Sequence, residues 1–184
     1  MKILNVPNVL TMLRMVMIPV FIYVFFLPIK NSMLWAALVY ALAAITDYFD
    51  GMIARKYNLI TNFGKLFDPL ADKLLQIAAV ACMVIADVMP AWFLVFYLVK
   101  EAIQIIGGAF LLKSGVVVSA NIFGKVASVL FYVATVACLL FDMNPIFKTV
   151  MLIIVVLMSA LAFIKYGMGF AAQRKALEQQ KEEK

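Results

Sequence analysis

Residues 47–73 read DYFDGMIARKYNLITNFGKLFDPLADK and concentrate the acidic side chains of the chain. Four of its ten acidic residues lie there, namely Asp47, Asp50, Asp68 and Asp72. The chain as a whole is strongly apolar, with 66% hydrophobic residues and a mean hydropathy of +1.04. A carboxylate at membrane depth is costly and usually marks a functional site. The stretch therefore predicts such a site within a membrane protein.

Apolar runs on either side of this stretch predict an all-α integral membrane protein with six transmembrane helices. The first helix ends near residue 27, and the others cover about 33–54, 67–86, 91–112, 121–141 and 146–170. Each run is close to the ~20 residues that cross a hydrocarbon core of ~30 Å. We expect one membrane domain, 1–170, and a charged cytoplasmic tail, 171–184.

Local signals refine the helix ends. Asn8 or Thr11 could cap the first helix, because both residue types accept hydrogen bonds from free backbone amides. Gly64 is expected at a tight turn before the third helix. Pro69 is expected in the first turn of that helix, where a missing amide donor costs little.

The distribution of basic residues predicts the orientation of the helices. With six crossings, one side holds most of the lysines and arginines: Lys2, Arg14, Arg55, Lys56, Lys65, Lys113, Lys125, Arg174 and Lys175. The opposite loops hold only Lys30 and Lys148. Because positive charge stays in the cytoplasm, we expect a multi-pass protein of the inner (cytoplasmic) membrane whose polar active-site cavity faces the cytoplasm.

Composition excludes several classes of site. The chain has no histidine, which removes histidine–zinc sites and serine–histidine triads. Cys82 and Cys138 lie in separate apolar runs and are expected to pack without a disulfide. The net charge of +6 is spread over loops and termini, which suits a membrane face better than a nucleic acid.

The spacing of the four aspartates indicates a metal site. Asp47 and Asp50 are three residues apart, and Asp68 and Asp72 are four apart, so each pair shares one helix face. Ligands made only of oxygen favour Mg²⁺, Mn²⁺ or Ca²⁺. Two such ions about 3.5–4 Å apart suit phosphoryl transfer.

The residues between the acids suit a nucleotide diphosphate. Gly51 and Ala54 are small and lie on or beside the carboxylate face, which lets a ligand approach the backbone. Arg55 can form two parallel hydrogen bonds to a diphosphate.

The pattern D-x2-D-G-x2-A-R-x8-G-x3-D-x3-D resembles the signature of the CDP-alcohol phosphatidyltransferase family. It is met without departure at Asp47, Asp50, Gly51, Ala54, Arg55, Gly64, Asp68 and Asp72. The likeness extends to the six-helix layout and to the flanking segments PNVLTMLR and NFGKLFDPLADK. These segments are most similar to family members that act on glycerol 3-phosphate.

The resemblance implies a transferase in which an acceptor hydroxyl attacks CDP-diacylglycerol and CMP leaves. It implies two Mg²⁺ or Mn²⁺ ions held by Asp47, Asp50, Asp68 and Asp72, with Asp72 also acting as general base. It further implies contacts with the CDP group and a homodimer. The implied CDP contacts are Asn8, Gly51, Ala54, Arg55, Thr61 and Gly64.

Glycerol 3-phosphate as acceptor requires cations for its phosphate. The candidates are Arg14, Lys73, Lys100 and Lys125. Lys100 could instead form an intramembrane ion pair with Glu101, and Arg14 and Lys125 could simply extend to the membrane interface.

Two alternatives remain open on sequence grounds. The same chemistry could use phosphatidylglycerol, serine or an inositol phosphate as acceptor. A cation transporter is a different class, and the fixed positive charge of Arg55 beside the acids disfavours it.

Overall fold

The computed structural model describes residues 6–56, 62–113 and 122–182, and within them the side chains of 9–46, 52, 67–107, 122–169 and 171. These residues form six helices and no strand, which confirms the predicted all-α class. The helices are α1 Val6–Phe25, α2 Ser32–Lys56, α3 Asn62–Ile85, α4 Ala91–Lys113, α5 Ile122–Leu140 and α6 Pro145–Glu182.

The start of α3 differs most from the prediction. The helix begins at Asn62, five residues before the expected start at 67, because asparagine favours a helix N-terminus and the following residues tolerate helical geometry. Gly64 therefore lies in the first turn of α3, and its prediction as a tight turn is wrong. Pro69 lies in the helix interior and is exposed, so its prediction in the first turn of α3 is wrong.

α6 is also longer than predicted. It continues from Pro145 through residue 170 to Glu182, since residues 171–182 are rich in good helix formers and lack glycine and proline. Asn144 caps the start of this helix, because its side-chain oxygen accepts a hydrogen bond of 2.9 Å from the Ile146 amide. The domain boundary at residue 170 stays a prediction.

The chain divides into two compact units, Met1–Leu94 with Thr135–Asp142, and Val95–Ala134 with Met143–Lys184. In the first unit, α1 packs against both α2 and α3, and α2 also contacts α3. Alanines lie at these interfaces and let the helix backbones approach closely: Ala36, Ala37 and Ala43 of α2, and Ala71 and Ala79 of α3, are all buried.

The buried face of α1 changes character along its length. Its C-terminal half buries Phe21 and Phe25, and the Phe21 ring lies 6.0 Å from that of Tyr40 on α2. Its N-terminal half buries Thr11 and Arg14 instead. Polar burial in α1 is therefore confined to the half of the helix that precedes residue 15.

The second unit contains the aromatic pair Tyr97 and Phe131, whose rings stack at a centroid distance of 4.6 Å. α6 buries Leu152, Val155 and Ser159, which recur at helical spacing on one face. Among the described residues, Ile122–Leu140 and Pro145–Gly169 are each long and apolar enough to cross a membrane. Six crossings stay a prediction.

Candidate functional site

Two of the four predicted ligands, Asp68 and Asp72, lie one turn apart in α3 and are both half-buried. Ala71 and Leu75 lie beside them and are fully buried against the rest of the first unit. The spacing of four residues brings the two carboxylates to one side of the helix, as predicted from the sequence. This half of α3 is the part of the site whose side-chain geometry the structure describes.

Thr11 on α1 donates a hydrogen bond from its hydroxyl to Oδ1 of Asp68. Only 1% of Thr11 is exposed and Asp68 is half-buried, so the bond is partly shielded from water. The sequence prediction that Asn8 or Thr11 could cap α1 is wrong, because α1 begins at Val6 and both residues lie inside it. The role in the site was missed, although polar residues at 11 and 14 in an apolar helix signal one shared buried polar face.

Gln76 on α3 donates from Nε2 to both oxygens of Asp72, at 3.2 Å from Oδ1 and 3.1 Å from Oδ2. Gln76 is 6% exposed and lies one turn after Asp72. Sequence reasoning missed this residue too. The signal was available, since an aspartate and a glutamine four residues apart in a helix commonly pair.

Arg14 is completely buried in α1, one turn after Thr11. Its alternative interpretation, a side chain extended to the membrane interface, is therefore wrong. Burying a guanidinium is unfavourable unless other groups compensate its charge and donors. Arg14 and Thr11 thus form a polar patch on the face of α1 that packs in the first unit.

The remaining predicted residues are placed only by their backbone. Asp47 and Asp50 both lie in the continuous helix α2, so their spacing of three residues keeps them on one side of it. Gly51, Ala54 and Arg55 follow in α2, Asn8 lies in α1 and Gly64 in α3, while Thr61 lies outside the described residues. The convergence of all four carboxylates stays a prediction.

The donor set fits a hard divalent cation. Asp68 and Asp72 offer carboxylate oxygens, and buried donors on Thr11 and Gln76 orient them in the way that hydrogen-bonding partners orient metal-ligating carboxylates. Within the described side chains, no group of three or more histidine, cysteine, aspartate or glutamate residues comes together. A complete site therefore requires Asp47 and Asp50, whose side chains lie outside that set.

The predicted acceptor cations lie on different helices. Lys73 follows Asp72 in α3 and is half-buried. In the second unit, Lys100 forms an ion pair of 2.5 Å with Glu101 and lies 5.0 Å from the centre of the Tyr97 ring. That ion pair joins neighbours on α4, so it does not itself hold two helices together. Lys125, on α5, is exposed.

A groove in the first unit is apolar and separate from these residues. It has a volume of about 430 Å³ and is lined by the C-terminal end of α1 and the N-terminal half of α2, including Val24, Trp35 and Leu42. Thr11 and the aspartates of α2 lie at the opposite ends of these two helices. The predicted polar cavity is thus a different feature and stays a prediction.

Comparison with known proteins gives a family and several named relatives. A family model described as CDP-alcohol phosphatidyltransferase matches residues 4–163. The CDP-diacylglycerol–glycerol-3-phosphate 3-phosphatidyltransferase of Bacillus subtilis is 36% identical over 151 residues, which cover 76% of this chain and 78% of that protein. Proteins of the same name are 52% identical in Rickettsia felis and 43% identical in Escherichia coli K12. Those two alignments cover 44% and 48% of this chain, and 42% and 48% of the relatives.

Proposed function

The chain belongs to the CDP-alcohol phosphatidyltransferase family, and we propose that it transfers the phosphatidyl group of CDP-diacylglycerol to glycerol 3-phosphate. The products would be phosphatidylglycerophosphate and CMP. The observation that carries this proposal is the similarity to the Bacillus subtilis enzyme named for this reaction, which extends over most of both chains. The oriented carboxylates on α3 support it, since this reaction needs a site for a diphosphate and a proton acceptor.

The four aspartates would hold two Mg²⁺ or Mn²⁺ ions. Bound there, the ions would neutralise the diphosphate and stabilise the charge of the phosphoryl group in transfer. Asp68 and Asp72 contribute from α3, and Asp47 and Asp50 from α2, which contacts α3. Hard oxygen ligands and the absence of histidine from the chain support this choice of metal.

The proton of the reaction would move to Asp72. The acceptor oxygen forms a bond to the phosphorus next to diacylglycerol, the bond from that phosphorus to CMP breaks, and a carboxylate oxygen of Asp72 takes the hydroxyl proton. Gln76 holds both oxygens of this carboxylate from the next turn and so fixes the direction in which it faces. CDP-diacylglycerol would be bound by Arg55 and by the small residues Gly51, Ala54 and Gly64, with Asn8 and Thr61 at its border.

Arg14 is the strongest candidate for binding the acceptor phosphate. It belongs to the same compact unit as Asp68 and Asp72, and it lies one turn from Thr11, which contacts Asp68. Lys73 is adjacent to Asp72 in sequence. Lys100 is already compensated by Glu101, which reduces its attraction for a second anion. Lys125 is exposed, and both Lys125 and Lys73 are further proposed contacts of the acceptor phosphate.

The protein would lie in the inner membrane. Two helices long and apolar enough to cross it, the high hydropathy of the chain and the family all support a membrane protein. Six crossings, a homodimer and a site open to the cytoplasm complete the proposal. They are supported by the lengths of the apolar runs, the family resemblance and the excess of basic residues on one side.

The test is CMP release by the purified protein in detergent, with CDP-diacylglycerol, Mg²⁺ and one acceptor at a time. We expect release with glycerol 3-phosphate and only background release with phosphatidylglycerol, serine or inositol phosphate. Release with one of these instead would retain the chemistry and overturn the acceptor. No release with any acceptor, from protein shown to be folded, would overturn the transferase.

Replacing Arg14 by methionine is expected to raise the KM for glycerol 3-phosphate much more than the KM for CDP-diacylglycerol. Loss of one partner of a buried charged pair costs about 2–5 kcal/mol, which corresponds to a KM increase of about 30-fold or more. Arg14→Lys keeps the charge but loses the planar fork, so an intermediate effect is expected. The measurement is steady-state CMP release with each substrate varied in turn.

Lys30→Met is the matched control, because Lys30 is exposed in the loop between α1 and α2. It should leave both KM values unchanged. A rise in the KM for CDP-diacylglycerol alone would assign Arg14 to the nucleotide lipid rather than to the acceptor.

A further inference from the structure

We propose that Thr11 is a positioning residue that holds the Asp68 carboxylate from α1 and thereby sets the affinity of the site for its divalent cations. This inference rests on the proposed function, since it takes Asp68 as a metal ligand. Thr11 lies outside the aspartate motif, which begins at residue 47.

The direction of the hydrogen bond follows from the chemistry of its partners. An ionised carboxylate only accepts hydrogen bonds, so the Thr11 hydroxyl is the donor. In a helix this hydroxyl commonly bonds back to a carbonyl of its own preceding turn. Here it reaches across to Asp68 on α3. The bond therefore joins two helices and is not a local feature of α1.

The packing of Thr11 makes it a fixed donor. A β-branched side chain in a helix has few allowed rotamers, and at 1% exposure Thr11 is surrounded by other groups. Its bond engages Oδ1 of Asp68 and leaves Oδ2 as a further oxygen for a cation. A carboxylate held in one direction binds a metal better than one that must be ordered first.

The two hydrogen-bond donors of the site, Gln76 and Thr11, connect the aspartates to different parts of the fold. Gln76 lies on the same helix as Asp72 and moves with it, so it fixes only the local direction of that carboxylate. Thr11 belongs to a different helix and ties Asp68 to the position of α1. Because α1 packs against both α2 and α3, it is the element that can hold the two aspartate-bearing helices in one arrangement.

The test measures Mn²⁺ binding to the full-length chain in detergent, without substrate, by the electron paramagnetic resonance signal of free Mn²⁺. Thr11→Val keeps the shape of the side chain and removes the hydroxyl, and it is expected to weaken Mn²⁺ binding about 10–100-fold. Thr11→Ser keeps the hydroxyl and should bind within about threefold of the wild type. In CMP release, Thr11→Val should need more metal yet regain most of kcat at saturating metal.

Thr135→Val is the matched control, because Thr135 is also 1% exposed and its hydroxyl makes no hydrogen bond within the described part of the chain. It should leave Mn²⁺ affinity unchanged, whereas a purely structural role of Thr11 would lower the melting temperature without changing that affinity. If Thr11→Val does not fold, Thr11→Ala replaces it in the comparison with Thr11→Ser.

The outcomes separate this inference from the proposed function. Wild-type affinity in the hydroxyl-free variant, or equal losses in that variant and Thr11→Ser, would overturn the role of Thr11 alone. Absence of Mn²⁺ binding by the folded wild type would overturn the metal site and this inference together.

Discussion

Asp72→Asn is expected to lower CMP release by about 10³-fold or more, because general-base catalysis alone contributes about 10²–10⁴-fold. An asparagine amide has nearly the shape of the carboxylate, but it cannot accept the proton of the acceptor hydroxyl. It also removes one anionic metal ligand. Gln76 would then face one amide oxygen in place of two carboxylate oxygens, so the substituted side chain at position 72 would lose its fixed direction as well. The measurement is single-turnover CMP release at saturating metal and acceptor.

Asp87→Asn is the control for this substitution. Asp87 follows the same helix, is exposed, and has a positive φ of 56°, which asparagine adopts readily. The change in charge and shape is identical, yet CMP release should stay at the wild-type level. Retention of more than about one tenth of the activity by folded Asp72→Asn would contradict the role of Asp72 as base.

The approximate bounds of most helices could be predicted because they depend on local patterns. Apolar length fixes where each helix runs, and the spacing of the aspartates fixes which residues share a face. α4 and α5 accordingly lie within one residue of their predicted ends at Ala91 and Leu140. α3 deviates because it begins at Asn62, a residue that favours a helix N-terminus, and continues through Gly64 and Pro69 despite their weak helix preferences.

The contacts between helices could not be predicted in the same way. The bond from Thr11 to Asp68 joins residues far apart in the sequence, and no periodic pattern specifies which residue of α1 meets which residue of α3. The burial of Arg14 is a related case. An arginine in the first turns of a hydrophobic helix is compatible with the membrane interface or with a polar interior, and only the rotation of α1 within the unit separates the two.

These contacts also change the relative merits of the acceptor cations. From the sequence alone, Arg14 and Lys100 each have two interpretations, as a contact of the acceptor phosphate or as a residue without that role. In the structure, the charge of Lys100 is compensated by Glu101 and by the Tyr97 ring. Arg14 is buried one turn from Thr11, the residue that contacts Asp68. Within the proposed site, Arg14 is therefore the candidate cation on the helix that also carries the Thr11 donor.

Removal of divalent cations is expected to reduce CMP release to background, and Mg²⁺ or Mn²⁺ should restore it. Four carboxylates and a diphosphate cannot gather in a partly buried site without counter-charge. Two unit charges of like sign 4 Å apart repel by about 4 kcal/mol at an effective dielectric constant of 20. Arg14, Arg55 and Lys73 alone are too few to offset the charges of the four aspartates and the substrate. The measurement is CMP release after treatment with a chelator, at constant ionic strength and with the fold checked by circular dichroism.

The restoration of CMP release should be selective for divalent ions that prefer oxygen ligands. Equal ionic strength supplied as potassium chloride should not restore release, because a monovalent ion would offset too little of the charge of the carboxylates and the diphosphate. Full activity in chelator would contradict the metal site while leaving the family intact. Restoration by metal in wild type but not in Asp68→Asn, with Asp142→Asn as an exposed control, would place the requirement at α3. The aspartates would then serve primarily to hold the cations, and Asp72 would add proton transfer to that shared role.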